Sequence, residues 1–208
     1  MTTPDPQYKE RVHRSAAAIA GGVLLLGIAC WLGVDAIAAG KGSTPWRALA
    51  ALLLVVPLVT AFTLRPAVFV GQDRLRVRNP FRIIVLPWGQ IETLRSGYSN
   101  EALTKSGAKF QLWAIPVSLR ARNKAARREA RRVAQGGGPL GVGSGARAVP
   151  DGPVRAESDR AMDELRELLE ARGAEESAQG EIVVRWAYEV VGPAVAGAVL
   201  LGILLVVG

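Results

Sequence analysis

Arginines at alternating positions are the residues of this chain best suited to chemistry. Arg74, Arg76 and Arg78 recur at every second residue, and Arg82 follows an Asn-Pro turn. Alternating side chains of a β-strand point to one face, so the first three are expected to share a face. A guanidinium presents a rigid fork of N–H donors that matches phosphates and carboxylates. The pattern favours contact with an anionic headgroup or an acidic partner, although it is also typical of a solvated outer sheet face.

A second basic cluster lies in a predicted helix at residues 119–135, which has almost no apolar face and should not insert deeply into a membrane. It could contact anionic headgroups, an acidic partner or nucleic acid, or it could be a solvated charged helix. Nucleic acid is not expected, because base stacking needs exposed aromatic side chains beside the cations. The candidate contacts in this cluster are Arg127, Arg128, Arg131 and Arg132.

Residue types that support catalysis are scarce. His13 is the single histidine and lies near the N-terminus, and the single cysteine, Cys30, lies inside an apolar stretch. Neither can complete a nucleophile–base pair in a soluble domain. The glycines at 136–145 lack the Lys-Ser/Thr ending of a phosphate loop. No Cys/His cluster has metal-ligand spacing. We therefore expect no catalysis, no cofactor and no metal.

Three apolar stretches, at residues 15–34, 48–64 and 190–208, dominate the hydropathy pattern. A helix rises about 1.5 Å per residue, so each stretch is long enough to span a membrane. The first could instead be a signal peptide, because basic residues precede it and Ala36-Ile37-Ala38 resembles a cleavage site. Its apolar run exceeds the usual ~7–15 residues of a signal peptide, which favours a retained helix.

Basic residues near the ends of the apolar stretches predict the orientation of the protein. Arginines and a lysine precede the first stretch, and four arginines follow the second within a short distance, whereas the loop between them has only Lys41 and Arg47. Because positive residues collect on the cytoplasmic side, we expect a multi-pass plasma-membrane protein. Its N-terminus and soluble domain would be cytoplasmic and its C-terminus outside.

The soluble region begins with short β-prone runs and ends with an amphipathic helix. Leu75 and Val77 alternate with arginines at a period of two, and β-prone runs follow at 83–86, 91–94, 102–104 and 110–115. This succession of short runs predicts an antiparallel meander. The segment 157–172 is a predicted helix that ends at a glycine. Its apolar face consists of Met162, Leu165, Leu168 and Leu169.

The run from Gly71 to Arg82, with Leu86-Pro87-Trp88 and then Ile91, resembles bacterial PH-like domains of the low molecular weight protein antigen type. The resemblance implies a split β-barrel capped by a C-terminal helix, and its members are commonly membrane-anchored. The chain departs from the family pattern in the insertion at 119–153. The expected barrel-core aromatics are Trp88 and Trp113, which Phe69, Phe81 and Phe110 could join.

The predicted fold class is an α+β membrane protein with three transmembrane helices plus a PH-like split β-barrel capped by a C-terminal helix. Its segments are an N-terminal tail at 1–14, two transmembrane helices with a short external loop at 15–64, barrel strands at 65–118, a basic helix and Gly-rich insertion, partly disordered, at 119–155, the capping helix at 156–173, a tether at 174–187 and a third transmembrane helix at 188–208.

The predicted function is that of a non-catalytic interaction module on the cytoplasmic face of the plasma membrane, which binds a membrane-protein partner or anionic lipid headgroups. The alternative is an accessory subunit of a larger membrane complex, such as a transporter or envelope-synthesis machinery, in which the transmembrane helices carry specificity. Small residues at four-residue spacing would permit close helix packing, either within the chain or with a partner. These residues are Ala18, Gly22, Ala194, Ala198 and Gly202. The sequence leaves the oligomeric state open.

Overall fold

The computed structural model describes residues 10–117 and 153–207, with side chains from 158 onward in the second range. The elements in chain order are β1 (Arg11–His13), α1 (Ala16–Ala39), α2 (Thr44–Val59) with a π-helical turn (Thr60–Leu64), β2 (Ala67–Val70), β3 (Arg74–Arg78), β4 (Arg82–Pro87) with a 3-10 turn (Trp88–Gln90), β5 (Ile91–Ser96), β6 (Asn100–Thr104), β7 (Lys109–Gln111), α3 (Pro153–Arg172) with a 3-10 turn (Glu176–Ala178), β8 (Val183–Trp186) and α4 (Tyr188–Val207).

Three helices in the described ranges are long and apolar enough to cross a membrane: Ala16–Ala39, Thr44–Leu64 and Tyr188–Val207. Most of their surface faces away from the protein, which suits helices that meet lipid. Helices therefore form where the sequence predicts apolar spans, and the overall class is α+β.

Glycines allow these helices to approach one another closely. Gly22 lies against Thr63, and Gly33 lies against Leu52. The backbone of α2 comes so near to Gly197 of α4 that an added Cβ would meet backbone atoms. Of the small residues singled out in the sequence, Gly22 and Ala194 are buried, whereas an added Cβ at Gly202 would meet no atom within 4 Å. The predicted close packing thus involves some of those positions and not Gly202.

A five-stranded antiparallel sheet has the order β1-β2-β3-β4-β8. The strands at its two edges lie in segments that the sequence analysis did not predict to be strands. The segment 1–14, expected to be a tail, supplies β1, whose His13 lies opposite Val68. The segment 174–187, expected to be a tether, supplies β8, whose Val184 lies opposite Ile84. Both strands pair with residues far away in the chain, and strands of three or four residues are too short for periodicity to reveal them.

A three-stranded sheet has the order β5-β6-β7. Gly107 has φ +83 in the turn between β6 and β7, a conformation that favours glycine. The predicted strand at 110–115 pairs only as far as Gln111. Beyond it, Leu112 and Ile115 are buried in the core, so their apolar character reflects packing rather than strand pairing.

Helix α3 packs into a core shared by both sheets. Met162 and Leu165 are buried there with Trp88, as the amphipathic pattern predicts, and Leu169 packs at the margin. Core residues from the two sheets include Val77 and Ala102. The two sheets share no hydrogen-bonded ladder among the described residues, so the split β-barrel stays a prediction.

The aromatic predictions are partly wrong. Trp88 is fully buried and Phe110 packs against the core. Trp113, expected in the core, is 41% exposed, and its ring lies 5.7 Å from that of Phe62 at the end of α2. Phe81 also contacts the Phe62 ring, at 5.3 Å. These two aromatics therefore join the sheet-containing part of the protein to the apolar helix α2 instead of filling the core.

Candidate functional site

Strand β3 presents its arginines on one face, as the alternation predicts. Leu75 and Val77 are fully buried in the core, whereas Arg74 is exposed and Arg76 and Arg78 are half-buried on the other face. The residues opposite these arginines on β2 and β4 are apolar, so the positive charge of this face comes from β3 alone. Arg82, in β4, alternates onto the other face of the sheet, and the four candidate arginines are therefore not equivalent.

Two of the four arginines are already engaged within the protein. The Arg76 Nη2 donates to Glu10 Oε1 at 3.2 Å and Oε2 at 3.1 Å, and its guanidinium lies 4.3 Å from the Phe69 ring centroid. The Arg82 guanidinium lies 4.2 Å from the Trp186 ring centroid. These cation–π contacts help to hold the strands β2 and β8 in place.

Arg78 is half-buried and, unlike Arg76 and Arg82, has no observed partner among the described residues. It makes no hydrogen bond or ion pair among the described residues, and its Nε is buried and unpaired. Burial lowers the pKa of the Arg78 guanidinium from its ordinary value, and the positive charges of Arg65 and Arg14 lower it further. The group stays charged at neutral pH, and Glu189 partly offsets its charge.

Arg65 is a functional candidate that the sequence analysis missed. Its side chain is only 6% exposed, and its Nη1 lies 2.7 Å from Glu189 Oε1. Its Nε and Nη2 are buried without a hydrogen-bond partner among the described residues. The available signal was a cation placed directly after an apolar span and before a proline. In the sequence it served only as evidence of orientation.

Strand register brings Arg14 to the same end of the sheet. His13 pairs with Val68 and Arg78 pairs with Ala67. Continuing the β1–β2 register by one residue places Arg14 opposite Ala67, so Arg14 and Arg78 flank Ala67 from its two sides. Arg65 lies two residues before Ala67 in the chain. We call Arg14, Arg65 and Arg78 the interfacial arginine cluster.

A cleft of about 520 Å³ opens beside Arg14, between the β1–α1 junction and α3. Arg14 lines it together with Phe69, Ile115 and Ala161. His13 also lines the cleft, and its Nε2 is 3.8 Å from Glu164 Oε2, which links the N-terminal strand to α3. The cleft leaves room for a small polar group next to Arg14.

The predicted contacts of the second basic cluster, Arg127, Arg128, Arg131 and Arg132, lie outside the described residues. Their role as headgroup or partner contacts stays a prediction. Within residues 10–117 and 153–207, no three His, Cys, Asp or Glu side chains come together as metal ligands.

Residues 65–136 match the family model described as "Bacterial PH domain". The match supports a bacterial PH-like domain in this part of the chain. It begins at Arg65 and includes β2 to β7, whereas β1, α3 and β8 lie outside it. No curated protein and no solved structure matches the chain.

A PH-like domain is generally a non-catalytic interaction module, and the match indicates no enzyme family. The low molecular weight protein antigen subtype stays a prediction. Two strands from outside the matched segment, β1 and β8, form the two edges of the larger sheet.

Proposed function

We propose that this protein is a non-catalytic, membrane-anchored PH-like interaction module on the cytoplasmic face of the plasma membrane. Its basic strand face would contact anionic headgroups of the leaflet into which its own helices insert. The observation that carries the proposal is the direct continuity between the larger sheet and all three apolar helices.

The junctions between strands and helices are very short. Arg14 and Ser15 separate β1 from α1, and Arg65 and Pro66 separate the π-helical turn from β2. Ala187 alone separates β8 from α4, and its N–H donates to the Phe81 carbonyl at 2.9 Å. Such junctions leave little freedom for the sheet to rotate relative to the helices. The PH-like domain would therefore be a fixed platform rather than a domain on a flexible tether.

A fixed platform makes weak lipid attraction effective. Each basic residue near an anionic leaflet contributes about 1 kcal/mol. Tethering holds the headgroups at a high effective concentration, so even weak contacts become populated. The helices already supply membrane localisation. Lipid binding would then set the tilt of the whole protein, sheet and helices together, relative to the membrane plane.

Cysteine labelling tests the membrane insertion and the orientation. In a background with Cys30→Ala, a cysteine at Ser43 in the α1–α2 loop should react with an impermeant thiol reagent on intact cells. A cysteine at Ser106, in the exposed β6–β7 turn, should react only after lysis. Labelling of Ser106→Cys in intact cells would contradict the cytoplasmic placement, and release of the protein by alkaline carbonate would contradict insertion.

A protein partner at the edge strand β8 is the second candidate function. All four residues of β8 are exposed, including Val183 at 40% and Trp186 at 50%, and β8 is an edge of the five-stranded sheet. A partner strand could add to this edge through main-chain hydrogen bonds. A photo-crosslinking amino acid at Val183 should then give one defined adduct in intact membranes, whereas the same group at Lys109, on the edge strand β7, should not.

A further inference from the structure

Arg65 combines deep burial with incomplete pairing. Its single observed partner is Glu189, whose own side chain is 60% exposed and lies at the start of α4. A buried guanidinium with unpaired N–H groups costs considerable free energy unless an anion or other acceptor completes its coordination. The protein therefore places two buried donor groups, Nε and Nη2, where no described side chain accepts from them.

Positive charge is in excess around Arg65. The interfacial arginine cluster contains three cations, and Glu189 is the carboxylate paired with it. Glu10, at the other end of β1, is bound to Arg76. Neither Arg14 nor Arg78 has an ion-pair partner among the described residues. Burial lowers the pKa of the Arg78 guanidinium most, repulsion by Arg65 and Arg14 lowers it further, and Glu189 raises it.

The depth of the cluster indicates the kind of anion. Helix α1 begins at Ala16, the π-helical turn after α2 ends at Leu64, and α4 begins at Tyr188. Arg14 and Arg65 each lie within two residues of one of these helix ends. If the three helices span a membrane, the cluster lies at the level of the lipid phosphates, since Arg side chains at helix ends reach the interface.

We propose that the interfacial arginine cluster binds the phosphate of an anionic phospholipid headgroup, with Arg14, Arg65 and Arg78 as its donors. The proposal rests on the membrane insertion proposed above and adds a defined site to it. Glu189 holds one edge of the Arg65 guanidinium, which leaves the remaining N–H groups for phosphate oxygens. Arg78 on β3 and Arg14, directly after β1, approach from the two sides of β2 and supply the positive charge that offsets the phosphodiester.

Strand β3 offers a matched control. Arg74 lies on the same strand and the same face as Arg78 but four residues away, or about 13 Å farther from the helix ends. Arg78→Gln and Arg74→Gln change the net charge equally. If the attraction to the leaflet is diffuse, both substitutions should weaken lipid binding similarly. If the site is defined, Arg78→Gln alone should weaken lipid binding.

The experiment measures lipid binding to the full-length protein in detergent, by native mass spectrometry. The probes are phosphatidylglycerol, phosphatidylcholine and inorganic phosphate. Wild type should retain phosphatidylglycerol in preference to phosphatidylcholine. Arg78→Gln and Arg14→Gln should each weaken phosphatidylglycerol binding by about tenfold, as expected for loss of a charge-assisted hydrogen bond, and Arg74→Gln by less than about twofold. Thermal unfolding of each variant checks that the fold is retained.

Three results would overturn the site. Equal weakening by Arg74→Gln and Arg78→Gln would replace it with diffuse surface attraction, and the proposed function would stand. Inorganic phosphate that displaces phosphatidylglycerol at equal concentration would assign the site to a free anion rather than a lipid. A wild type without lipid preference would eliminate the site, and carbonate extraction would show separately whether the membrane-anchored function fails as well.

Discussion

Gly197 provides the sharpest test of how the apolar helices pack. A Cβ at this position would lie 2.4 Å from the Leu54 backbone nitrogen and 2.7 Å from the Leu53 carbonyl carbon. An ordinary contact begins near 3.4 Å, so Gly197→Ala requires α4 and α2 to separate by about 1 Å. Backbone atoms cannot rotate away as a side chain can. The substitution should therefore loosen the whole α2–α4 contact.

The size of the effect follows from two opposing contributions. Alanine stabilises a helix by about 0.8–1.0 kcal/mol relative to glycine. Overpacking costs about 1–3 kcal/mol, and a gap of 0.5–1 Å loses about a quarter to a half of the dispersion attraction at each contact. Gly202, on the same helix, has no atom within 4 Å of the position that a Cβ would occupy. Gly202→Ala gains the same helix propensity without the overpacking, so the difference between the two variants isolates the cost of the close approach.

Thermal unfolding of the full-length protein in detergent measures this difference. We expect Gly197→Ala to be less stable than Gly202→Ala by about 1–3 kcal/mol, or several degrees in Tm at about 2–4 °C per kcal/mol. Gly197→Val should be worse still. Equal stability of the two alanine variants would refute the close α2–α4 contact.

The remaining predictions concern the cap, the ion pair and the second basic cluster. Leu165→Asp should cost more than about 3 kcal/mol of unfolding free energy, because it places a carboxylate in the core, whereas Glu167→Ala on the exposed face of α3 should change little. Glu189→Gln should destabilise the protein, because it removes the carboxylate that pairs with the buried Arg65, and a double-mutant cycle with Arg65→Gln should show coupling. A variant with the second basic cluster changed to glutamine should bind anionic liposomes less tightly than wild type after reconstitution. Added salt should reduce the difference in binding between the two proteins. Equal binding of both proteins at low salt would contradict the prediction. Its substituted residues are Arg127, Arg128, Arg131 and Arg132.

Local patterns were sufficient for several elements. Period-two alternation identified β3 and the face that carries Arg76, because neighbouring side chains of a strand point in opposite directions whatever the strand pairs with. Apolar length identified the helices that could span a membrane, and 3.6-residue periodicity identified the face of α3 that buries Leu165. In each case the decisive property belongs to a single segment.

Other features depend on segments that are distant in the chain. The strands β1 and β8 are too short to show a period, and they exist because β2 and β4 offer free edges beside them. Trp113 is as apolar as Trp88, yet it faces α2 rather than the core. Composition cannot distinguish these two environments, since both bury apolar surface.

The sequence by itself determined the apolar helices, the cationic strand face and the amphipathic cap, since each follows from the spacing of residues within one element. Only the tertiary structure decided that the sheet continues directly into all three helices and that Arg14, Arg65 and Arg78 meet at that junction. The physical reason is that burial and charge pairing depend on which elements surround a side chain. Arg65 became a candidate binding residue because α4 places Glu189 beside it and the rest of its guanidinium is buried.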